Sequence, residues 1–109
     1  MATHEVLLLG HEEVAEGTRA FRLSRPPGFG YKAGQAISVE LINPPAEPNS
    51  ARRIFSLASA PFEEDLLVVT RMREGSAFKR ALRSLQPGAK LVLKGPRGVL
   101  TLHEDRADP

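Results

Sequence analysis

A short segment, residues 52–60, carries one cation, one aromatic ring and two serine hydroxyls among apolar neighbours. A half-buried strand usually has Val, Ile or Thr at such positions. The two-residue alternation of a strand predicts one face with Arg53, Phe55, Leu57 and Ser59, and places Ser56 on the other face. A guanidinium next to a ring suits a ligand with a phosphate at one end and a flat heterocycle at the other. An ordinary strand with a solvated arginine and a core phenylalanine explains these residues equally well.

A second candidate site lies where a helix is predicted to begin. From Ser76 to Leu85 the apolar positions change to helical spacing, which predicts a helix over about 76–85 with Ser76 as its N-cap. The unpaired N–H groups and the dipole of a helix start attract anions, and Gly75 allows a ligand close to the backbone. Taken by itself, a capped helix after a turn is the simpler interpretation. A diphosphate held by both Arg53 and this helix start would explain the two features together.

The remaining elements are short strands and turns. Alternating runs indicate strands near residues 5–9, 18–24, 36–42, 53–58, 65–72 and 90–94, with a short one at 99–102. Three prolines predict an exposed loop at residues 43–50, because proline lacks the N–H donor of a ladder. Gly95-Pro96-Arg97-Gly98 is interpreted as a tight turn, although its glycines would also allow a ligand to approach. Together these elements predict a small antiparallel barrel or sandwich rather than a doubly wound parallel sheet.

The composition is that of a single soluble globular domain of 109 residues, with 41% hydrophobic residues and a net charge of +2. With no cysteine and three scattered histidines, neither a metal site nor a cysteine nucleophile is expected. The densest basic group, Lys79, Arg80 and Arg83, is typical of the polar face of a helix, so nucleic-acid binding is not expected. No apolar run spans a membrane and no signal peptide is recognisable, which predicts a cytoplasmic protein without a membrane partner.

Four motifs make the chain resemble the flavin-binding domain of the ferredoxin–NADP reductase superfamily, which includes flavin reductases and the reductase components of oxygenases. Residues 53–59 look like its R-x-Y/F-S-x-x-S motif, and Ala33-Gly34-Gln35 looks like the A/P-G-Q before its third strand. Gly75-Ser76 resembles the start of the G-x-x-S element that opens its single helix. Residues 85–88, followed by 95–98, are similar to its L-x-x-G-D … G-P-x-G ending. The motifs occur in the order that the family has.

The resemblance implies an all-β fold, a six-stranded antiparallel Greek-key β-barrel over residues 1–102 with one short helix between the last strands. Residues 103–109 would begin a linker to an NAD(P)-binding domain. The implied cofactor is FAD, with FMN less expected, and Ser56 would be the catalytic residue near the flavin N5. The implied cofactor-binding residues are Arg53, Phe55, Ser56, Leu57, Arg71, Gly75, Ser76 and Ala77. The other domain would bind NAD(P)H, and an unidentified electron acceptor would be the further partner.

Within that set, the resemblance gives each residue a role. Arg53 would bind the flavin phosphates, Phe55 would pack against the ring system, and Gly75 and Ser76 would hold the pyrophosphate through backbone amides. Phe55 departs from the commoner tyrosine and loses one hydrogen bond to the cofactor, worth about 0.5–1.5 kcal/mol. The family's Gly-rich NAD(P)H loop has no counterpart, so this part of an NAD(P)H oxidoreductase is expected to be nearly inactive alone. A flavin-free barrel acting as a binding, regulatory or electron-transfer module is the alternative.

Overall fold

The structure is a computed structural model that describes residues 3–47, 50–73 and 75–99. It contains six strands and one helix. Their bounds are β1 Thr3–Ala15, β2 Thr18–Leu23, β3 Gln35–Leu41, β4 Arg52–Ser56, β5 Leu66–Arg71, α1 Ala77–Ser84 and β6 Lys90–Val99. The predicted helix over 76–85 is confirmed, since Ser76 and Leu85 are its two caps.

All six strands form one antiparallel sheet in the order β4-β3-β6-β1-β2-β5. The first half of β1 pairs with β6 and its second half with β2, which explains why this strand is longer than the predicted 5–9. The sheet curls into a half-barrel, and its two edges meet just beyond β4. There the Ala58 N–H donates to Leu67 O at 2.7 Å, and the Leu67 N–H donates to Ser59 Oγ at 3.1 Å. The predicted all-β fold is therefore confirmed.

The core fills the inside of this curved sheet. Inward positions of every strand are buried, and α1 adds Phe78 and Leu82 from the side, at 0% and 2% exposure. These two residues are four apart on one helical face, which is why this short helix packs on the sheet. The helix thereby comes to lie beside β4, and its first turn is fixed next to the predicted phosphate-binding residues. No helix within the described ranges has the length and apolar character needed to cross a membrane.

The interpretation of residues 95–98 as a tight turn was wrong. Strand β6 continues from Lys90 to Val99, and the Gly95-Pro96 pair forms an irregularity in its ladder with β3. Gly95 has a φ of 139°, and a Cβ there would lie only 3.3 Å from Ala36 O. A bulge suits the same residue types as a turn, because both accommodate a glycine with a positive φ and a proline that donates no ladder hydrogen bond. Residues 100–102 of the predicted last strand and the 103–109 linker lie outside the described residues.

The loop between β3 and β4 is exposed over its described part, as predicted for a proline-rich segment. One buried side chain organises it. Ser50 is only 3% exposed, and its hydroxyl lies 2.8 Å from Pro45 O and 2.5 Å from Glu47 O, which share its single proton. Glu47 in turn pairs with Arg80 of α1, with 3.4 Å between Oε2 and Nη2. The loop is thus tied to the helix.

Candidate functional site

Strand β4 has the two faces that the alternation predicts. Phe55, Leu57 and Ser59 are buried, with Phe55 at 8% exposure, and Arg53 on the same face is half-buried. Ser56 points the other way and is exposed at the end of the strand. A hydroxyl in this position is accessible to a bound molecule, whereas the Phe55 ring is already packed in the core.

Phe78 of α1 connects the strand to the helix. Its ring centroid lies 6.0 Å from that of Phe55, and the Arg53 guanidinium carbon lies 5.8 Å from the same ring. Cation–π contact and packing therefore hold Arg53 against the first turn of the helix. The two features that the sequence suggested as a joint anion site, 23 positions apart in the chain, are neighbours in the structure.

The start of α1 is capped in the predicted manner. Ser76 Oγ accepts from the Lys79 N–H at 3.2 Å, and the Ser76 N–H donates to Arg73 O at 3.0 Å. The hydroxyl and amide of Ser76 thus both have partners within the chain. At such a start the N–H groups of Ala77 and Phe78 have no intrahelical acceptor. Gly75 is exposed, and a Cβ built on it would meet nothing within 4 Å, so the approach to this backbone is open.

Three cations surround this helix start. Burial lowers the pKa of the Lys79 ammonium, and the positive charges of Arg73 and Arg53 lower that pKa further. The Lys79 Nζ donates to Arg71 O at 2.7 Å, which holds the ammonium near the end of β5. The first turn of α1 contains no acidic residue. Three basic side chains therefore lie near the positive end of the helix dipole.

Arg53, Arg73 and Lys79 form what we call the cation cluster. Of these three residues, the sequence patterns predicted only Arg53 as a site residue. Lys79 and Arg73 were not candidates, because Lys79 was assigned to the ordinary polar face of a helix. A signal was present, since Lys79 is the third residue after the N-cap and lies in the first turn. Arg71, a predicted cofactor-binding residue, has an exposed side chain at the end of β5, and its backbone carbonyl holds Lys79.

Ser59, the second hydroxyl of the opening segment, has a structural role. Its Oγ lies 2.8 Å from the Tyr31 hydroxyl and accepts from the Leu67 N–H at 3.1 Å, while Tyr31 also donates to Ala60 O at 2.7 Å. Arg25 braces the same segment by donating to Pro61 O at 2.6 Å. These contacts fix the chain immediately after Ser56.

The residues present fit a flavin dinucleotide. A diphosphate needs several donors and positive charge, which the cation cluster and the Ala77 and Phe78 amides offer together. The open backbone at Gly75 leaves room for it. The exposed Ser56 hydroxyl lies about three strand residues, or roughly 10 Å, from Arg53 along β4. This spacing would separate a phosphate end at Arg53 from a ring end at Ser56.

An antiparallel half-barrel with basic residues between its edge strand and the start of its helix is the arrangement expected of a domain that binds a nucleotide cofactor. Residues 5–102 match the oxidoreductase FAD-binding domain family. The chain belongs to this family, and the predicted recognition, the FAD-binding function and FAD as cofactor are thereby confirmed. The sequence is also 35% identical over 101 residues, 89% of the chain, to ferredoxin–NADP reductase B of Sorangium cellulosum.

Solved structures with the same fold include the ferredoxin NADP+ reductase of Neisseria gonorrhoeae with bound FAD and NADP. That structure has a TM-score of 0.77 at 20% identity, and the match covers 93% of this chain and 40% of that one. An Amycolatopsis cytochrome P450 reductase gives a TM-score of 0.72 at 21% identity, with coverage of 94% and 32%. The chain spans about 40% of the length of the Sorangium reductase.

Proposed function

We propose that this chain is the FAD-binding part of an NAD(P)H-dependent oxidoreductase of the ferredoxin–NADP reductase type. It would hold the isoalloxazine so that hydride arrives from a nicotinamide bound by a separate NAD(P)-binding domain. The relatives named above are reductases of this kind, and the chain matches less than half of their length. The observation that carries the proposal is the position of the cation cluster. The cluster lies at the first turn of α1, and the exposed Ser56 lies at the end of the neighbouring strand β4.

In this proposal the chain binds and orients, and the cofactor supplies the redox chemistry. Arg53 and the amides of Ala77 and Phe78 hold the diphosphate. Phe55, already packed on Phe78, provides an apolar wall beside the ring system. The Ser56 hydroxyl would hydrogen-bond near the flavin N5, and the bound flavin would supply the hydride-accepting chemistry.

Two partners follow from this arrangement. A nicotinamide has to be placed against the ring near Ser56, and the NAD(P)-binding domain would do so. Such positioning is worth about 7–11 kcal/mol of barrier in comparable reactions. An electron acceptor would be the second partner.

Reconstitution with FAD tests the proposal directly. The purified 109-residue chain is incubated with excess FAD, desalted, and examined for the visible absorption bands of oxidised flavin. We expect bound flavin near one per chain, and slow reduction of a dye acceptor by NADH or NADPH until an NAD(P)-binding domain from a relative is added. Absence of flavin after desalting, together with no quenching of FAD fluorescence in titration, would overturn the proposal and favour a flavin-free barrel. Rapid turnover by the chain alone would overturn the division of labour between two domains.

A further inference from the structure

The turn between β4 and β5 presents an aromatic side chain to solvent. Phe62 is 87% exposed, the largest exposure of any large hydrophobic side chain in the described ranges. Pro61 and Phe62 occupy the middle of this turn, which the Glu63 N–H closes by donating to Ala60 O at 3.0 Å. Proline is favoured at the first of these two middle positions. Packing within the fold does not account for the position of the Phe62 ring.

Hydrogen bonds fix the backbone on which Phe62 is carried. The Arg25 Nη1 donates to Pro61 O at 2.6 Å and to Glu63 O at 2.7 Å, on both sides of the aromatic residue. The Ala60 N–H donates to Glu63 Oε2 at 2.8 Å, and the Tyr31 hydroxyl donates to Ala60 O at 2.7 Å. A side chain on a fixed backbone loses less conformational entropy when it binds a partner than one on a loose loop.

Carboxylates follow the Phe62 ring in the chain. Glu63 and Glu64 are exposed, and Asp65 is partly exposed, with its Oδ2 3.9 Å from Arg22 Nε. Within the described ranges, neither glutamate takes part in an ion pair. We call residues 61–65 the acidic turn. Its chemistry fits a partner surface that offers an apolar contact bordered by cations.

A depression with the opposite charge lies on the outer face of the sheet. It has a volume of about 540 Å3 and is lined by Thr3, Ser38, Arg52, Ile54, Lys94 and Arg97. Ile54, Ser38 and Lys94 lie side by side on β4, β3 and β6, and Ile54 is 50% exposed. A cavity of about 150 Å3 is enough to hold a benzene ring, so this depression has room for a phenylalanine side chain.

Cations border this depression on two sides. Arg52 precedes Ile54 on β4 and Arg97 follows Lys94 on β6, and these two strands run in the same direction because both are antiparallel to β3. Glu40 approaches Arg52 and Lys94, but no ion pair among the described residues includes Arg97. The depression, which we call the basic pocket, therefore has more positive than negative side chains.

We propose that the acidic turn of one chain docks in the basic pocket of a second copy, with the Phe62 ring against Ile54. Since Phe62 is exposed in its own chain, the turn does not fill the pocket of the same molecule. Burial of an aromatic ring would supply affinity, and the opposite charges would orient the two copies. The contact joins two different surfaces, so two copies can exchange it reciprocally or further copies can add to the first pair. The proposal does not depend on FAD binding.

Sedimentation equilibrium of the FAD-free chain over a series of concentrations tests the contact. A small interface associates weakly, so we expect a dissociation constant on the order of 100 μM and an average mass that rises with concentration. Phe62→Ser removes the ring and Arg97→Glu reverses a charge of the pocket. Each should weaken association by at least about tenfold, and added salt should weaken association of the parent chain.

A mixture of the two variants provides the sharpest test. Phe62→Ser keeps an intact pocket and Arg97→Glu keeps an intact turn, so the mixture should associate although each variant alone stays monomeric. Val14→Ser and Arg83→Glu are the controls and should associate like the parent chain. Val14 is an exposed apolar residue, at 51%, on the β1–β2 hairpin, and Arg83 is a basic residue in the last turn of α1.

Three results would overturn the proposal. They are a parent chain that stays monomeric at about 1 mM, association that is unchanged in either variant, and a mixture that stays monomeric. None of these results bears on the proposed function, because all are obtained without FAD. Circular dichroism confirms that the substitutions leave the fold intact.

Discussion

Two adjacent arginines on β4 belong to two very different surfaces. Arg52 is on the outer face, where it and Lys94 approach the same carboxylate, Glu40, at 3.6 and 3.0 Å. Arg53 is on the inner face beside Lys79, whose pKa is lowered first by burial and then by the positive charges of Arg73 and Arg53. One surface brings opposite charges together, and the other brings like charges together at the positive end of a helix.

The difference bears on where the proposed anionic ligand would bind. A carboxylate supplied by the chain balances cations within the fold, as Glu40 does on the outer face. The first turn of α1 contains no acidic residue, and burial, together with the charges of Arg73 and Arg53, lowers the pKa of Lys79. A diphosphate bound there, as proposed, would place negative charge beside these cations. Net charge and the number of basic residues do not distinguish these two surfaces. The charged side chains next to each arginine do distinguish them.

The largest effect expected from this comparison is on FAD affinity. Replacing Arg53 with alanine should weaken FAD binding by about 1.5–3 kcal/mol, because a hydrogen bond to a charged group is lost. This corresponds to roughly 10- to 150-fold in the dissociation constant. Arg52→Ala removes the same side chain one residue away and should change the FAD dissociation constant by less than about twofold. Titration of flavin fluorescence measures both, and equal losses in the two variants would contradict the assignment of the phosphate site.

The outer face should respond in stability rather than in cofactor binding. Glu40 Oε2 is buried, and although Lys94 Nζ lies 3.0 Å away, the contact has the distance of an ion pair without hydrogen-bond geometry. Lys94→Met should therefore lower the free energy of unfolding by about 1–3 kcal/mol, because the carboxylate loses its nearer partner. Urea unfolding of the FAD-free chain measures this loss.

A double substitution provides the control for the outer face. When Glu40 is also replaced by methionine, the buried charge disappears and most of the lost stability should return. FAD affinity should stay within about twofold in both variants. A large loss of FAD affinity in Lys94→Met would mean that the outer face also contributes to the cofactor site.

Local sequence patterns predicted those parts of the molecule that local physics determines. The alternation from Arg53 to Ser59 and the change to helical spacing after Ser76 depend only on neighbours in the chain, and both predictions were confirmed. The turn expected at Gly95 was wrong because its residue types suit a turn and a bulge equally. Pairing with β3, which continues past Gly95, decides between them.

Contacts between segments that are distant in the chain explain the features of the site that local sequence patterns did not predict. Ser59 has the residue type of a ligand-binding hydroxyl, but Tyr31, 28 positions earlier, makes it a structural group. Lys79 joins the cation cluster only because Phe78 places α1 against β4 and Arg71 O accepts from its ammonium. Since side-chain neighbours of this kind follow from packing, they could not be read from spacing alone. The roles of individual residues in binding FAD remain predictions.

The smallest expected effect is on the free energy of unfolding, and its sign should differ between the two ends of α1. Arg73→Gln removes one like charge near Lys79 and one cation at the positive end of the helix dipole, so the FAD-free chain should become more stable. The gain should be a few tenths of a kcal/mol at neutral pH, because the site is exposed. Arg83→Gln is the matched control. Arg83 lies in the last turn of α1, where a cation is favourable, and its loss should lower stability by a similar amount.

The pH dependence of the same variant follows from the lowered pKa of Lys79. Between that pKa and the ordinary value of 10.5, the unfolded chain binds more protons than the folded one. The free energy of unfolding therefore gains a contribution that rises with pH across this window and is absent below it. Arg73→Gln raises the pKa of Lys79 toward its ordinary value, so the rise should be shallower than in the parent chain, whereas Arg83→Gln should leave it unchanged. Urea unfolding of the FAD-free proteins at a series of alkaline pH values measures the slopes. A loss of stability in Arg73→Gln, or a steeper rise, would contradict an unfavourable interaction between Arg73 and Lys79.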